Sequence, residues 1–296
     1  MKLDHINEKY REIARLPDEN RIQFLNSERW INYPAAKRVL EELDDLLIAP
    51  RRTRMRSLLI VGNPSNGKSS ILETFVKKHS SELDETLEDE EISVPIIKIE
   101  TSKPDIKQLY IEILTAFWTP FRPSQTENVL RQQAIHVMRE CKLKMLLIDE
   151  FHSLLTGTAK QQREVMNEIK YLSNVLKISI IGAGTKEAVN VLHTDPQYAS
   201  RFDLIQLPIW QFDRPWLQLL FSFEQGLPLR KPSNLIDKEK SQLILSISQG
   251  ILGNVDSLIR LCAIKAIESG SEEISLALLK EFKWHTPTRG NRQLKL

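Results

Sequence analysis

The sequence predicts an α/β protein with a central parallel five-stranded sheet flanked by helices, followed by a small C-terminal helical domain. Three observations carry this prediction. Short apolar runs alternate with stretches of helical period from residue 39 to about residue 207, the pattern of a parallel sheet covered on both faces. One junction reads Gly62-Asn63-Pro64-Ser65-Asn66-Gly67-Lys68-Ser69, the G-x-x-x-x-G-K-S spacing of a phosphate-binding loop between a strand and a helix. From Pro215 onward the pattern is helical only.

Taken in order, residues 1–34 are polar with scattered anchors (Ile22, Phe24, Leu25, Trp30, Ile31, Tyr33) and predict an arm lying on the main domain. Val39, Leu43, Leu46 and Leu47 then recur at helical spacing, with Glu41, Glu42, Asp44 and Asp45 on the other face, until Pro50 stops the helix. Arg51, Arg52, Arg54 and Arg56 crowd the entry to the first strand, Leu58–Val61; a solvated surface and a phosphate-facing role both fit them. An amphipathic run, Ile71 to Val76, follows the glycine loop, and Glu82 to Glu91 reads as an exposed acidic loop.

The next strand is Val94–Ile99, and Ile106, Leu109, Tyr110, Ile113, Leu114 and Phe117 follow with helical period. After a loop carrying Arg122 to Thr126, a helix is expected from about Asn128 to Glu140. The strand Lys144–Ile148 runs into Asp149-Glu150. A helix from about Gln161 to Leu176 precedes the strand Ile178–Ile181, which ends in Gly182-Ala183-Gly184-Thr185, and a last strand spans Asp203 to Leu207. Helices are expected over Trp216–Gln225, Lys238–Gln249, Asn254–Ser269 and Leu276–Phe282. The expected division is an arm (1–34), an αβα core (35–212), a helical lid (213–282) and a basic tail with little to bury (283–296).

Composition bounds the class. A chain of 296 residues with 41% hydrophobic content can bury a proper core. The net charge of +2 argues neither for nor against nucleic acid. Cys141 and Cys262 lie far apart without metal-ligand spacing, which fits a reduced cytoplasmic protein. The polar N-terminus and the lack of any bilayer-length apolar run predict a soluble chain with no membrane partner.

The chemistry lies in the loop and in two strand tips. Glycines at 62 and 67 let the backbone curl so that successive N–H groups form an anion nest, and the helix that starts there adds its positive end. Gly62 to Ser69, with Ser70, are therefore the candidate nucleotide-binding residues. Lys68 is expected to reach the β/γ-phosphates of ATP and Ser69 to hold Mg²⁺. Asp149, ending an apolar strand, is placed for the Mg²⁺ shell, and Glu150 for polarising the water that attacks the γ-phosphate. Thr185 at the next strand tip fits a γ-phosphate contact or a simple turn. Arg201, in Ser200-Arg201-Phe202 before the last strand, is positioned for a neighbour's nucleotide as an arginine finger in trans, or else for a surface ion pair. His152, Trp210, Trp216 and Trp284 read chiefly as structural residues.

Assembled, these motifs resemble an AAA+ ATPase, and the match narrows. Trp30-Ile31-Asn32-Tyr33-Pro34-Ala35, Leu147-Ile148-Asp149-Glu150-Phe151-His152, Gly184-Thr185-Lys186-Glu187-Ala188, Thr194-Asp195, Arg201-Phe202, Leu207-Pro208-Ile209-Trp210 and Leu227-Pro228-Leu229-Arg230-Lys231-Pro232-Ser233 are in the style of the TniB/TnsC family. Phage Mu protein B and the IstB proteins are more distant relatives. The resemblance, over about residues 20–282, implies an ATP-dependent regulator of DNA transposition that forms a homo-oligomer, ring or helical filament, on double-stranded DNA. It also implies recruitment of a DDE transposase (TniA/TnsB-like) and direction by a target-selection factor, TniQ/TnsD-like or RNA-guided.

By position, the family's DNA-tracking residues fall on Lys107 and Thr126, with Lys103 and Arg122 nearby. Residues 92–144 carry eight Lys/Arg against five Asp/Glu, too slight an excess to show a DNA site by itself. One departure is Gly253-Asn254-Val255-Asp256, where many AAA+ lids have arginine at the last position; Arg260 lies one turn further on. The resemblance places the adenine pocket between arm and lid, with Tyr33 as its candidate. The alternative in the same fold is a helicase-loader-like (IstB/DnaC-type) ATPase on single-stranded DNA. A small-molecule kinase has no use for Ser200-Arg201-Phe202, and a scaffold that binds ATP without turnover is separated by assay.

Overall fold

The computed structural model describes residues 3–84, 93–194 and 200–282. Its helices are α1 (Glu8–Arg15), α2 (Asp18–Asn26), α3 (Pro34–Ile48), α4 (Lys68–Asp84), α5 (Ile106–Ala116), α6 (Glu127–Glu140), α7 (Ala159–Leu176) and α8 (Ala188–Thr194). Then come α9 (Arg214–Gln225), α10 (Lys238–Ser248), α11 (Leu252–Glu268) and α12 (Leu276–Glu281). The strands are β1 (Ser57–Val61), β2 (Ile96–Glu100), β3 (Met145–Asp149), β4 (Ser179–Gly184) and β5 (Phe202–Gln206). The chain divides into two compact units, one of Arg38–Pro64 with Lys68–Leu207, the other of Met1–Lys37 with Ser65–Gly67 and Pro208–Leu296.

The first unit is the sheet unit. All neighbouring strands pair in parallel, in the order β2-β3-β4-β1-β5. Every residue of β1, β3 and β4 is buried, as uninterrupted apolar runs require when helices cover both faces. β5 forms an edge: Phe202 is buried while Asp203 and Leu204 face outward. Leu59, Val61, Ile99, Ile113, Leu130, Leu146, Ile148 and Leu172 form one core, each buried side chain contributing about 1.5–3 kcal/mol. The helices start where capping chemistry allows. Asp105 accepts from the Gln108 amide ahead of α5, and Thr158 with Gln161 makes a capping box at α7.

Parallel register positions the functional residues. Val61 pairs with Gly184, Ile148 with Gly182, and Glu100 with Asp149, so the carboxyl ends of β1, β3 and β4 share one edge. That edge is where an open α/β sheet presents its ligand sites.

The second unit joins N-terminal and C-terminal helices. Residues expected to form an arm are helical in α1 and α2; Asn7 caps α1 by accepting from the Lys9 amide. Arg21 of α2 is fully buried. Its guanidinium donates to both carboxylate oxygens of Glu272 at 2.7 Å, to Asp18 at 2.7 Å and to the Pro228 carbonyl at 3.0 Å. Glu224 accepts from the amides of Ser233, Asn234 and Leu235, and the buried Trp216 indole donates to the Ser241 carbonyl.

Beyond the expected elements the structure adds α8, and it extends β4 through Gly184. The acidic stretch is described only as far as Asp84, and Asp195, Trp284 and the 283–296 tail lie outside the described residues. Among the described residues no helix is long and apolar enough to cross a membrane.

Candidate nucleotide site

The glycine loop leaves β1 at Gly62, whose amide donates to the Gly184 carbonyl at 3.1 Å and continues the ladder. Ser65 and Gly67 both have positive φ (57° and 84°), the alternation that turns successive amides toward one point. A glycine is needed at 67 for that backbone; Ser65 takes the same region with a Cβ, which the spacing alone does not announce. The amides of Ser65, Asn66 and Gly67 meet no backbone acceptor among the described residues. α4 begins at Lys68, so the Lys68, Ser69 and Ser70 amides belong to its first turn, where helices leave donors free.

Lys68 is buried, and its ammonium donates to the Gly62 and Asn63 carbonyls, both at 2.9 Å. Burial pulls its pKa below the ordinary lysine value, opposed by the charges of Glu150 and Asp149. Asp149 ends β3 almost wholly buried. One carboxylate oxygen accepts from the Glu150 amide at 2.9 Å, and the other lies 3.3 Å from the Lys98 ammonium. Glu150 takes the left-handed region (φ 51°), and its Oε2 lies 3.3 Å from His152 Nε2. Thr185 follows β4 at the same edge, and its side chain bonds Glu187, holding that carboxyl below its ordinary value.

Lys68, Asp149, Glu150 and Thr185 are thus gathered at one edge of the sheet. Two further residues stand there. Lys98 on β2 donates to Glu73 of α4 at 2.9 Å as well as pairing with Asp149. Burial would lower its pKa, but those two carboxylates outweigh it and the net shift is upward. Thr101, also buried, donates through its backbone amide to the Asp149 carbonyl. A lysine inside the apolar run Ile96-Ile97-Lys98-Ile99 was a readable signal; Thr101 offered none.

Arg201 occupies the other edge. It immediately precedes β5, whose first residue pairs with Ser57, the first residue of β1, while the glycine loop departs from the last. Its guanidinium donates to Asn174 at 2.9 Å, and burial, with Arg54 adding repulsion, lowers its pKa. Lys103, Lys107, Arg122 and Thr126 come together around the start of α5 and the loop before α6. Lys103 pairs with Asp105, Lys107 donates to the Pro123 carbonyl at 2.8 Å, the Arg122 amide donates to Gln125, and Thr126 is the residue before α6.

In the helical unit, Tyr33 is buried, its hydroxyl pushed up to about 12 by that burial. Its ring stacks on Trp30 and meets Trp210 edge-on, and its hydroxyl lies 3.2 Å from where a Cβ at Gly67 would sit. Asn66 donates to the Pro208 carbonyl, while its own Oδ1 is buried without a partner. The Gly253 amide, at the start of α11, donates to the Ser65 carbonyl at 2.8 Å. Arg260 donates to Asn26 of α2.

Several solved structures share this architecture. An ORC2 protein of Aeropyrum pernix in ADPNP–ADP complexes superposes with a TM-score of 0.62 at 15% identity, covering 87% of this chain and 69% of that one. The Aeropyrum pernix ORC1 protein in complex with DNA gives 0.61 at 12% identity, covering 88% and 67%. AMPPCP-bound DnaA from Aquifex aeolicus gives 0.53 at 17% identity, covering 89% and 68%. At such identities the likeness is one of fold, the AAA+ P-loop fold. No curated protein matches the chain significantly. The family described as bacterial TniB protein matches residues 21–212, which takes in the glycine loop, the Asp149-Glu150 strand end, Thr185 and Arg201. With that stretch covering most of its length, the chain belongs to the TniB family.

Proposed function

We propose that this protein is an ATP-hydrolysing regulator of DNA transposition that assembles on duplex DNA and connects target choice to a DDE transposase. The observation that carries the ATPase reading is the meeting of Lys68, Asp149 and Glu150 at the carboxyl edge of one parallel sheet, beside a loop with two left-handed residues. Gly62 to Ser70 cradle the phosphates with backbone amides, and Lys68 exchanges its two loop carbonyls for phosphate oxygens. Glu150 accepts the proton of the attacking water, Thr185 contacts the γ-phosphate, and Tyr33 borders the adenine. The hydroxyl of Ser69 and the carboxylate of Asp149 are hard oxygen donors that suit Mg²⁺, which when bound neutralises phosphate charge.

Family membership supports the transposition role, and the ORC1–DNA complex supports a fold able to engage DNA. Lys103, Lys107, Arg122 and Thr126 then track phosphates rather than bases, so binding is sequence-tolerant and weakens with salt. Partners are a transposase and a target-selection factor, with neighbouring copies completing each other's sites through Arg201.

The test compares wild type, Lys68→Ala and Glu150→Gln on labelled duplex with ATP. Lys68→Ala loses nucleotide binding and ATP-dependent DNA retention. Glu150→Gln keeps nucleotide, drops turnover by about 10²–10⁴-fold and leaves long-lived DNA complexes. Ordinary release of Glu150→Gln from DNA refutes the reading, and preference for single strands redirects it to a helicase-loader role.

A further inference from the structure

We propose that His152 is a positioning residue for ATP hydrolysis: its Nε2–H, 3.3 Å from Glu150 Oε2, restrains that carboxylate, and Gly184 at the tip of β4 leaves the space into which the His152 backbone fits. The inference rests on the reading of Glu150 as the base, and it adds a residue that the nucleotide motifs do not contain.

Three observations converge. First, Glu150 sits in the left-handed region on leaving β3, so its side chain departs from the strand direction and projects half-exposed; His152 Nε2, 3.3 Å from Oε2, restrains it. Phe151, fully buried between the two, fixes the short 3₁₀ turn Phe151–Leu155 on which the imidazole rides. Second, His152 Nδ1 is buried and has no hydrogen-bond partner in the structure. A bare lone pair tolerates that burial better than an unsatisfied N–H, so the ring hydrogen belongs on Nε2, the nitrogen nearest Glu150.

Third, β4 ends against this residue. A Cβ at Gly184 would lie 3.1 Å from the His152 backbone nitrogen, 3.2 Å from Ala188 Cβ and 3.5 Å from His152 Nδ1. The tip of β4 therefore closes on the turn that carries His152.

The consequence is kinetic. A glutamate free to rotate spends most of its time out of line with the attacking water, whereas a restrained one keeps Oε1 available. Neither Lys68 nor the loop amides depend on His152, so its loss lowers kcat and spares nucleotide affinity.

The experiment measures ATP turnover, affinity for a fluorescent ADP analogue, melting temperature and side-chain ¹⁵N NMR in wild type, His152→Phe, His152→Gln and Gly184→Ala. Expected are a fall in kcat of about 10-fold for His152→Phe with KM and ADP affinity unchanged, partial rescue in His152→Gln, whose amide also donates, and an intermediate fall for Gly184→Ala, which removes no polar group. The NMR is expected to show Nε2 protonated and Nδ1 bare in the nucleotide-free protein. Unchanged kcat in both His152→Phe and Gly184→Ala overturns the proposal. So do equal losses in His152→Gln and His152→Phe with lowered melting temperatures, and so does an Nδ1-protonated ring. Wild type that never splits ATP, with or without duplex, defeats the Glu150 reading instead, and the NMR then decides the contact alone.

Discussion

Asp149 shows how a buried carboxylate at a strand end is partnered within the chain. It accepts from the next residue's amide and lies beside Lys98, which itself is anchored by Glu73. The arrangement sets Lys98 of β2 diagonally against Asp149 of β3, two register positions apart, since Lys98 pairs with Leu147 and Glu100 with Asp149. Burial lowers the Lys98 pKa, but the two carboxylates more than offset it and the net shift is upward. Replacing one partner of such a pair leaves the other uncompensated, at a cost of about 3 kcal/mol. Lys98→Met is therefore expected to lower the melting temperature measurably, and Asp149→Asn in the same chain to recover most of the loss. Equal melting temperatures for Lys98→Met and wild type would show that Asp149 draws its support elsewhere. Calorimetry of the four proteins of that cycle reads the coupling directly.

At the scale of elements, a buried arginine anchors α2. Its sequence, Asp18 to Asn26, is polar, and only Arg21 and Leu25 are buried. Arg21 is tied to Glu272, 251 positions away in the chain, and the Arg230 amide adds a third bond to that carboxylate. Burial would raise the Glu272 pKa, but the Arg21 hydrogen bonds and the Arg230 amide overcome it and hold it below its ordinary value near 4.5. A carboxyl depressed in the folded state contributes stability that is complete above that ordinary value and fades as pH falls through the folded one. Glu272→Gln is expected to melt lower than wild type at neutral pH, with the gap closing steadily as pH drops below about 4.5. A gap that stays constant across that range would separate the helix from the ion pair.

The same elements show what sequence makes legible. The glycine loop, the Asp149-Glu150 strand end and the Gly184-Thr185 tip are encoded by near neighbours, so spacing reveals them, and the sheet follows from the alternation around them. α1 carried a readable start in Asn7-Glu8 and a readable end in Arg15. α2 carried a start in Asp18-Glu19 but no basic residue in its last turn, and its buried arginine looks like a surface one until its distant partner is known. Lys98 and Thr101 join the site through strand register, and the Glu150–His152 pair depends on a left-handed residue that no local pattern demands.

For the whole molecule, the placement of Arg201 at the edge opposite the glycine loop argues for function in the plural. Strand β5 alone spans five residues, on the order of 15 Å, between Arg201 and the carboxyl edge, beyond the reach of one guanidinium. Among the described residues its guanidinium donates to Asn174, a neutral partner, and burial lowers its pKa. Arg201→Ala is accordingly expected to bind ATP with wild-type affinity while losing about 10³-fold or more in turnover. Lys68→Ala is expected to be inactive for the opposite reason, lacking a nucleotide but still offering Arg201 to a neighbour. Mixed in equal amounts, the two inactive proteins form some seams in which an intact loop faces an intact arginine, about one quarter of seams under random assortment. Phosphate release is therefore expected to reappear on mixing, to rise with total protein and with duplex DNA, and to vanish when both substitutions are placed in one chain. A mixture as silent as its components would assign Arg201 to its own subunit's architecture and leave each chain to hydrolyse, or fail to hydrolyse, on its own.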